Sequence, residues 1–285
     1  MTGFDDIIIK TEEVKEEDGG TFDKEEDSGC GCGCEIPDEK NDGGEILNKP
    51  SCKSVHVAFV MDHSGSMTSQ RKLALDNYNE QLASLKRKTK TTGIETYVTL
   101  VEFDNRILVP YKNKLVSDIE PNEDYWTEGL TSLNDAIFKG TTLLKKSMNN
   151  DTCDDISALM IIMTDGHENS SVEFAGIEGR DSIRKEIEKL EKTGEWTFTF
   201  MGANIDVQAT AVAGFGMSAG NTMSFTADDQ GFKMSNGSVQ GGLNKYYNAR
   251  TYGAKNVADF HVDNSTTGDK PDTVATSTVK DQVNE

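Results

Sequence analysis

Asp62, Ser64 and Ser66 sit in one short run, Asp-His-Ser-Gly-Ser, delivered by the apolar stretch VHVAFVM at residues 55–61. A carboxylate and two hydroxyls at alternate positions offer only oxygen ligands. Such a set suits a hard cation, Mg²⁺, Mn²⁺ or Ca²⁺, and argues against zinc or copper, which favour imidazole and thiolate. Gly65 lets the turn close. Two distant segments bear on the same chemistry. Asp165 ends a second apolar run, ALMIIMT, and Thr131 lies in GLTSLNDAI, 69 residues after Asp62 and 34 before Asp165. The bland alternative is that the two aspartates cap helices and the serines satisfy backbone donors in an ordinary turn.

The elements around these residues read as an α/β fold. From Val55 onward short apolar runs alternate with helical periodicities, the pattern of a doubly wound, mostly parallel sheet with helices on both faces. The first strand is expected over 55–61. A helix follows over about 71–88, with Leu75, Tyr78, Leu82 and Leu85 on one face. ETYVTLVEFD and RILVPY lie so close together that they predict a hairpin, which makes one edge of the sheet antiparallel. Further helices are expected from Leu133 through Leu144 and over 181–192, the latter capped by Asp181 and stopped by Gly194. Strands are expected at SALMIIMTDG, WTFTFMGANID and NTMSF, with a short helix at 207–213 and a glycine-interrupted one at 245–252. In an open parallel sheet ligands bind outside the carboxyl ends of the strands, where strand order reverses. Asp62 and Asp165 both end strands, so both belong at that edge.

DHSGS, GLTSLNDAI and MTDG, in this order, resemble the von Willebrand factor A domain with its metal-ion-dependent adhesion site, in the single-domain form of bacteria and their phages. The resemblance extends to VTLVEFD, TDGHENSS and FTFMGANID and covers most of residues 54–226. It implies that Ser64 and Ser66 coordinate the ion directly, that Thr131 joins in one conformation, and that Asp62 and Asp165 act directly or through water. It also implies adhesion: a protein partner's Asp or Glu takes an open coordination position, and the metal serves an interface rather than a reaction.

Other chemistry has little to stand on. There is no Gly-x-Ser-x-Gly elbow and no phosphate loop, so the chain is expected not to be an enzyme. Metal-dependent hydrolysis is a minor alternative, since Ser64 stands where a second carboxylate is needed. Another is a structural or virion-assembly role in which the metal only stabilises the fold. His63 and His167 flank the motif and are read as ordinary surface histidines rather than ligands. Glu168 and Asn169 are expected to form a rim that tunes partner choice, and Asn204 and Asp206 a turn.

Of the net charge of −20, half falls on residues 1–53, with 16 acidic and 6 basic side chains. An acidic body without a basic stripe is expected to bind no nucleic acid. KRKTK at 86–90 reads as a solvated helix end. The organisation expected is an acidic, disordered tail at 1–53, one folded domain at 54–252 and a flexible tail at 253–285. No secretory signal or membrane span is visible, which points to a cytoplasmic or virion-associated protein. Of five cysteines, Cys30, Cys32 and Cys34 alternate with glycine and are read as a linker motif, while Cys52 and Cys153 are expected as reduced, unpaired thiols.

Overall fold

The computed structural model describes residues 52–261. The expected tails, and the Cys30/Cys32/Cys34 cluster, lie outside these residues except for Cys52, Lys53 and the segment 253–261. Six strands form one sheet: β1 (Lys53–Asp62), β2 (Glu95–Phe103), β3 (Ile107–Leu115), β4 (Asp155–Thr164), β5 (Trp196–Ala203) and β6 (Thr222–Phe225). Their order is β3-β2-β1-β4-β5-β6, and every pairing is parallel except β2 with β3. The chain winds outward from β1 in one direction, then crosses back to β4 and winds outward in the other. Order therefore reverses between β1 and β4, and that crevice is the place where such sheets bind ligands.

Four helices cover the sheet: α1 (Arg71–Thr92), α2 (Leu133–Asn149), α3 (Gly176–Glu191) and α4 (Asp229–Thr251). β1 is buried from Ser54 to Asp62 because layers cover both its faces, which is why it reads as a continuous apolar run rather than an alternating one. Val55, Val57, Phe59 and Met61 join a core with Tyr78, Leu82 and Leu85 of α1 and Val239, Leu243 and Tyr246 of α4. On the opposite face α2 presses close. A Cβ on Gly140 would come within 3.0 Å of Met160 and 3.2 Å of Val60, so a larger residue there would press on β1 and β4.

Several boundaries differ from the expectation. The helix α3 begins at Gly176, five residues before Asp181, which is therefore internal and exposed instead of capping. Its buried face, Ile183, Ile187 and Leu190, is the expected one, and Gly194, at φ 76°, follows its end. The last helix starts far earlier than its glycines suggested. Asp228 caps it by accepting from Gly231 N at 2.8 Å, and burial of Phe232, Val239, Leu243, Tyr246 and Tyr247 holds it together despite weak intrinsic propensity. Gln208–Gly214 is wound as a π-helix. Packing also continues past residue 252: Phe260 is fully buried against Gly242, and His261 bonds Thr199 and Ser238.

Cys52 and Cys153 form a disulfide, which corrects the expectation of two free thiols. The sequence placed them 101 residues apart; only the pairing of β1 with β4 brings their Cα atoms to 4.8 Å. A crosslink closing a loop of that size restricts the unfolded chain by about 4–5 kcal/mol in the chain-entropy account.

Candidate metal centre

At the carboxyl edge of β1 the chain turns into Asp62-His63-Ser64-Gly65-Ser66. Asp62 is fully buried: its Oδ1 accepts Ser64 N at 2.8 Å, and its Oδ2 accepts the Thr164 hydroxyl at the end of β4. The backbone carbonyl of Asp62 accepts the Tyr125 hydroxyl. Ser64 and Ser66 put their Oγ atoms 3.0 Å apart, and Ser66 Oγ donates to Asp165 Oδ1 at 2.6 Å. Gln70, one short 3₁₀ segment later, donates to Asp165 Oδ2 at 3.2 Å, while its own Oε1 is buried without a hydrogen-bond partner.

Thr131 arrives on the loop before α2. Asn169 holds it twice, accepting Thr131 N at 2.9 Å with Oδ1 and donating its own backbone N to Thr131 O at 3.0 Å. Its hydroxyl faces the same crevice as the aspartates. The point a Cβ on Gly166 would occupy is 2.7 Å from Thr131 Oγ1 and 3.5 Å from Asp62 Oδ2, so a residue other than glycine would fill the space between them. All five residues, Asp62, Ser64, Ser66, Thr131 and Asp165, are thus brought to one place. Asp62, Ser64 and Thr131 are buried, whereas Ser66 is exposed and Asp165 half-buried, so the cluster opens to solvent on their side.

The electrostatics are those of an anion site without a counterion from the protein. Neither Asp62 nor Asp165 makes an ion pair among the described residues. Burial raises the Asp62 carboxyl to about 6, against the opposing pull of bonds from Thr164 and Ser64. Burial raises Asp165 as well. Oxygen donors without a competing amine or guanidinium suit a hard divalent cation, and the donor set fits that group.

His63 is not a surface residue. It is buried, stacks on Tyr125 at 3.9 Å between centroids, packs against Trp126, and shares a 2.7 Å bond between Nδ1 and Trp126 O. Burial depresses its pKa to about 4 and keeps it neutral, so it is a prop beneath the turn. His167 stays exposed. Glu168 and Asn169 also brace the loops: the Glu168 carboxylate accepts from Asn134 N at the start of α2 and from Ser170 N, Ser171 N and Ser171 Oγ. Asn204, at φ 57°, and Asp206 make a turn, as expected. Three contributors escaped the sequence reading. Thr164 stands directly before Asp165 and Gln70 four residues after Ser66, so both were within reach of a motif search; Tyr125 lies in an irregular loop and carried no such signal.

No family model and no curated protein matches the chain. Solved structures with similar folds include the ArnB paralog VWA2 from Sulfolobus acidocaldarius, at 18% identity, 67% of this chain, 45% of that chain and TM-score 0.41. Another is the von Willebrand factor type A from Catenulispora acidiphila, at 15% identity, 67% and 43% coverage and TM-score 0.41. A third is proximal thread matrix protein 1 from the mussel byssus, with a zinc-occupied metal-ion-dependent adhesion site, at 14% identity, 70% and 45% coverage and TM-score 0.41. The chain spans less than half the length of each of these three, and likeness at this level says nothing of activity. Strand order, the single antiparallel edge and the DxSxS turn at the β1/β4 crossover are those that the resemblance to the von Willebrand factor A domain implies.

Proposed function

We propose that this protein is a divalent-cation-dependent protein-binding module and not an enzyme. Asp62, Ser64, Ser66, Thr131 and Asp165 would hold the ion, with Mg²⁺ the first choice and Mn²⁺ or Ca²⁺ as substitutes. When bound, such an ion supplies a positive centre with a coordination position left for a carboxylate, because hydroxyl ligands neutralise little of its charge. The partner is a protein that presents an Asp or Glu. One observation carries this reading: five oxygen-bearing side chains from three separate loops converge, and the two acids among them, buried Asp62 and half-buried Asp165, meet no cationic side chain among the described residues. Serines in place of acids at positions 64 and 66 keep the local charge low, so an anionic partner is not repelled once a dication is present. The surrounding charge of the protein matters less, since it is screened beyond about 8 Å at physiological salt.

The test is calorimetric titration of Mg²⁺ into the full chain and into Asp62→Ala, followed by partner capture with and without EDTA. Binding to the wild type alone, and EDTA-sensitive capture, are the expected results. A partner captured equally by both proteins in EDTA would falsify the adhesion reading, and ion binding without any effect on capture would leave the metal a purely stabilising role.

A further inference from the structure

The opposite edge of the sheet gathers a second and chemically different set of donors. Cys52 immediately precedes β1, Glu95 opens β2, and Cys153 lies in the loop that leads into β4. One ligand atom from each lies within 4.8 Å of the others. Strand register sets this convergence: β1 runs between β2 and β4, with Ser54 opposite Glu95 and Lys53 opposite Asp155. The loop that carries Cys153 is pinned. Asp151 accepts Cys153 N at 2.9 Å with Oδ1 and bonds His56 Nε2 at 2.8 Å with Oδ2. Glu95 makes no ion pair among the described residues; its carboxylate accepts only the Tyr97 hydroxyl, at 2.8 Å. Glu95 is exposed and Cys52 lies at the surface, whereas Cys153 is buried, so reductant and ion have access from the side of Cys52 and Glu95.

We propose that Cys52, Cys153 and Glu95 form a redox-gated site for a thiophilic divalent cation of the zinc type, closed as the disulfide and open as the dithiol. Opening takes two electrons and two protons from a dithiol reductant, which leaves as its own disulfide, while the Sγ–Sγ bond becomes two thiols. Metal binding then displaces both thiol protons to water and leaves two thiolates and the Glu95 carboxylate on the ion. Three protein ligands leave the fourth tetrahedral position to water. Sulfur donors here and oxygen donors at the other edge would sort two kinds of ion on one domain, because thiolates select zinc-type ions and hydroxyls with carboxylates select magnesium-type ions. The site uses no residue of the proposed adhesion centre and does not depend on that centre's function.

The test uses the full chain with Cys30, Cys32 and Cys34 replaced by Ser, so that only Cys52 and Cys153 offer sulfur. After reduction with a phosphine under anaerobic conditions, Co²⁺ is titrated as a spectroscopic substitute for Zn²⁺. The expected result is a thiolate-to-cobalt charge-transfer band that saturates at one equivalent and is bleached by Zn²⁺. It should be absent from the oxidised protein of the same sequence and from Cys52→Ser and Cys153→Ser, while Glu95→Gln weakens binding at least about tenfold. Asp62→Ala should leave the band unchanged. The oxidised sample is the control that needs no folding variant. No band after reduction, or a band that survives Cys153→Ser, overturns the proposal.

Discussion

The acids that follow or end β1 and β4 at one edge of the sheet and the acid that opens β4 at the other are treated in opposite ways. At the carboxyl edge Asp62 is buried and Asp165 half-buried; both accept only neutral donors and are raised by burial, whereas the neighbouring buried Asp104 is paired with Arg106 at 2.6 Å. At the amino edge Asp155 meets three cations: Arg250 Nη1 at 2.8 Å, Lys53 at 3.8 Å and Lys255 at 3.8 Å. Arg250 is fully buried there and also donates to Ser54 O at 3.2 Å and Asp155 O at 2.9 Å, which ties the end of α4 to the starts of β1 and β4. One edge is closed by its own charges and by a disulfide. At the other, Asp62 and Asp165 are left without a cationic partner among the described residues, the arrangement in which a ligand can compensate them.

Arg250→Met tests the closed edge and should have the largest effect. Removing one partner of a buried ion pair leaves Asp155 and two carbonyls without their donor, a loss of about 3 kcal/mol or more in urea unfolding. Lys53→Met, which removes a longer and more exposed contact to the same acid, should cost under about 1 kcal/mol. Equal effects would show that the amino edge is not organised around Arg250.

Asp62→Asn tests the open edge, with the opposite sign. An acid whose folded-state pKa is raised from 3.8 to about 6 holds its proton in the folded protein where the unfolded chain has released it. Stability of the metal-free protein therefore falls as pH rises from about 4 to about 6, and Asp165 adds to the same trend. The asparagine variant should show less of this fall and be more stable than the wild type at pH 7 by on the order of 2 kcal/mol. Thermal melts in EDTA across this range check it; a variant less stable at every pH would mean that the carboxylate is compensated after all. Saturating Mg²⁺ should raise the melting temperature of the wild type only.

A smaller effect than at Asp62 is expected at Asn169→Ala, which removes the acceptor for Thr131 N. Because Asn169 itself is exposed, water can replace it, and the change should cost about 1 kcal/mol in stability. Its sharper signature is a several-fold weaker Mg²⁺ titration, from a Thr131 no longer held in place. Unchanged Mg²⁺ affinity would return Asn169 to the rim role that its sequence position suggested.

The sequence by itself determined the layered α/β architecture, because fully buried parallel strands must be written as unbroken apolar runs and covering helices as one-sided stripes. It determined the short loop at residues 62–66 as well, since neighbours in sequence need no fold to be neighbours in space. Tertiary structure decided what depends on register and on burial between distant segments. The β1–β4 pairing joined Cys52 to Cys153, and the aromatic floor of Tyr125 and Trp126 drew His63 inward. Glu168 and Asn169 became braces because the loop before α2 folds onto them. In α4, side-chain burial overruled glycines that had read as breaks. A local pattern fixes what one segment can be, whereas the fate of a thiol, an imidazole or a carboxylate is set by whichever remote groups the fold places within about 3 Å of it.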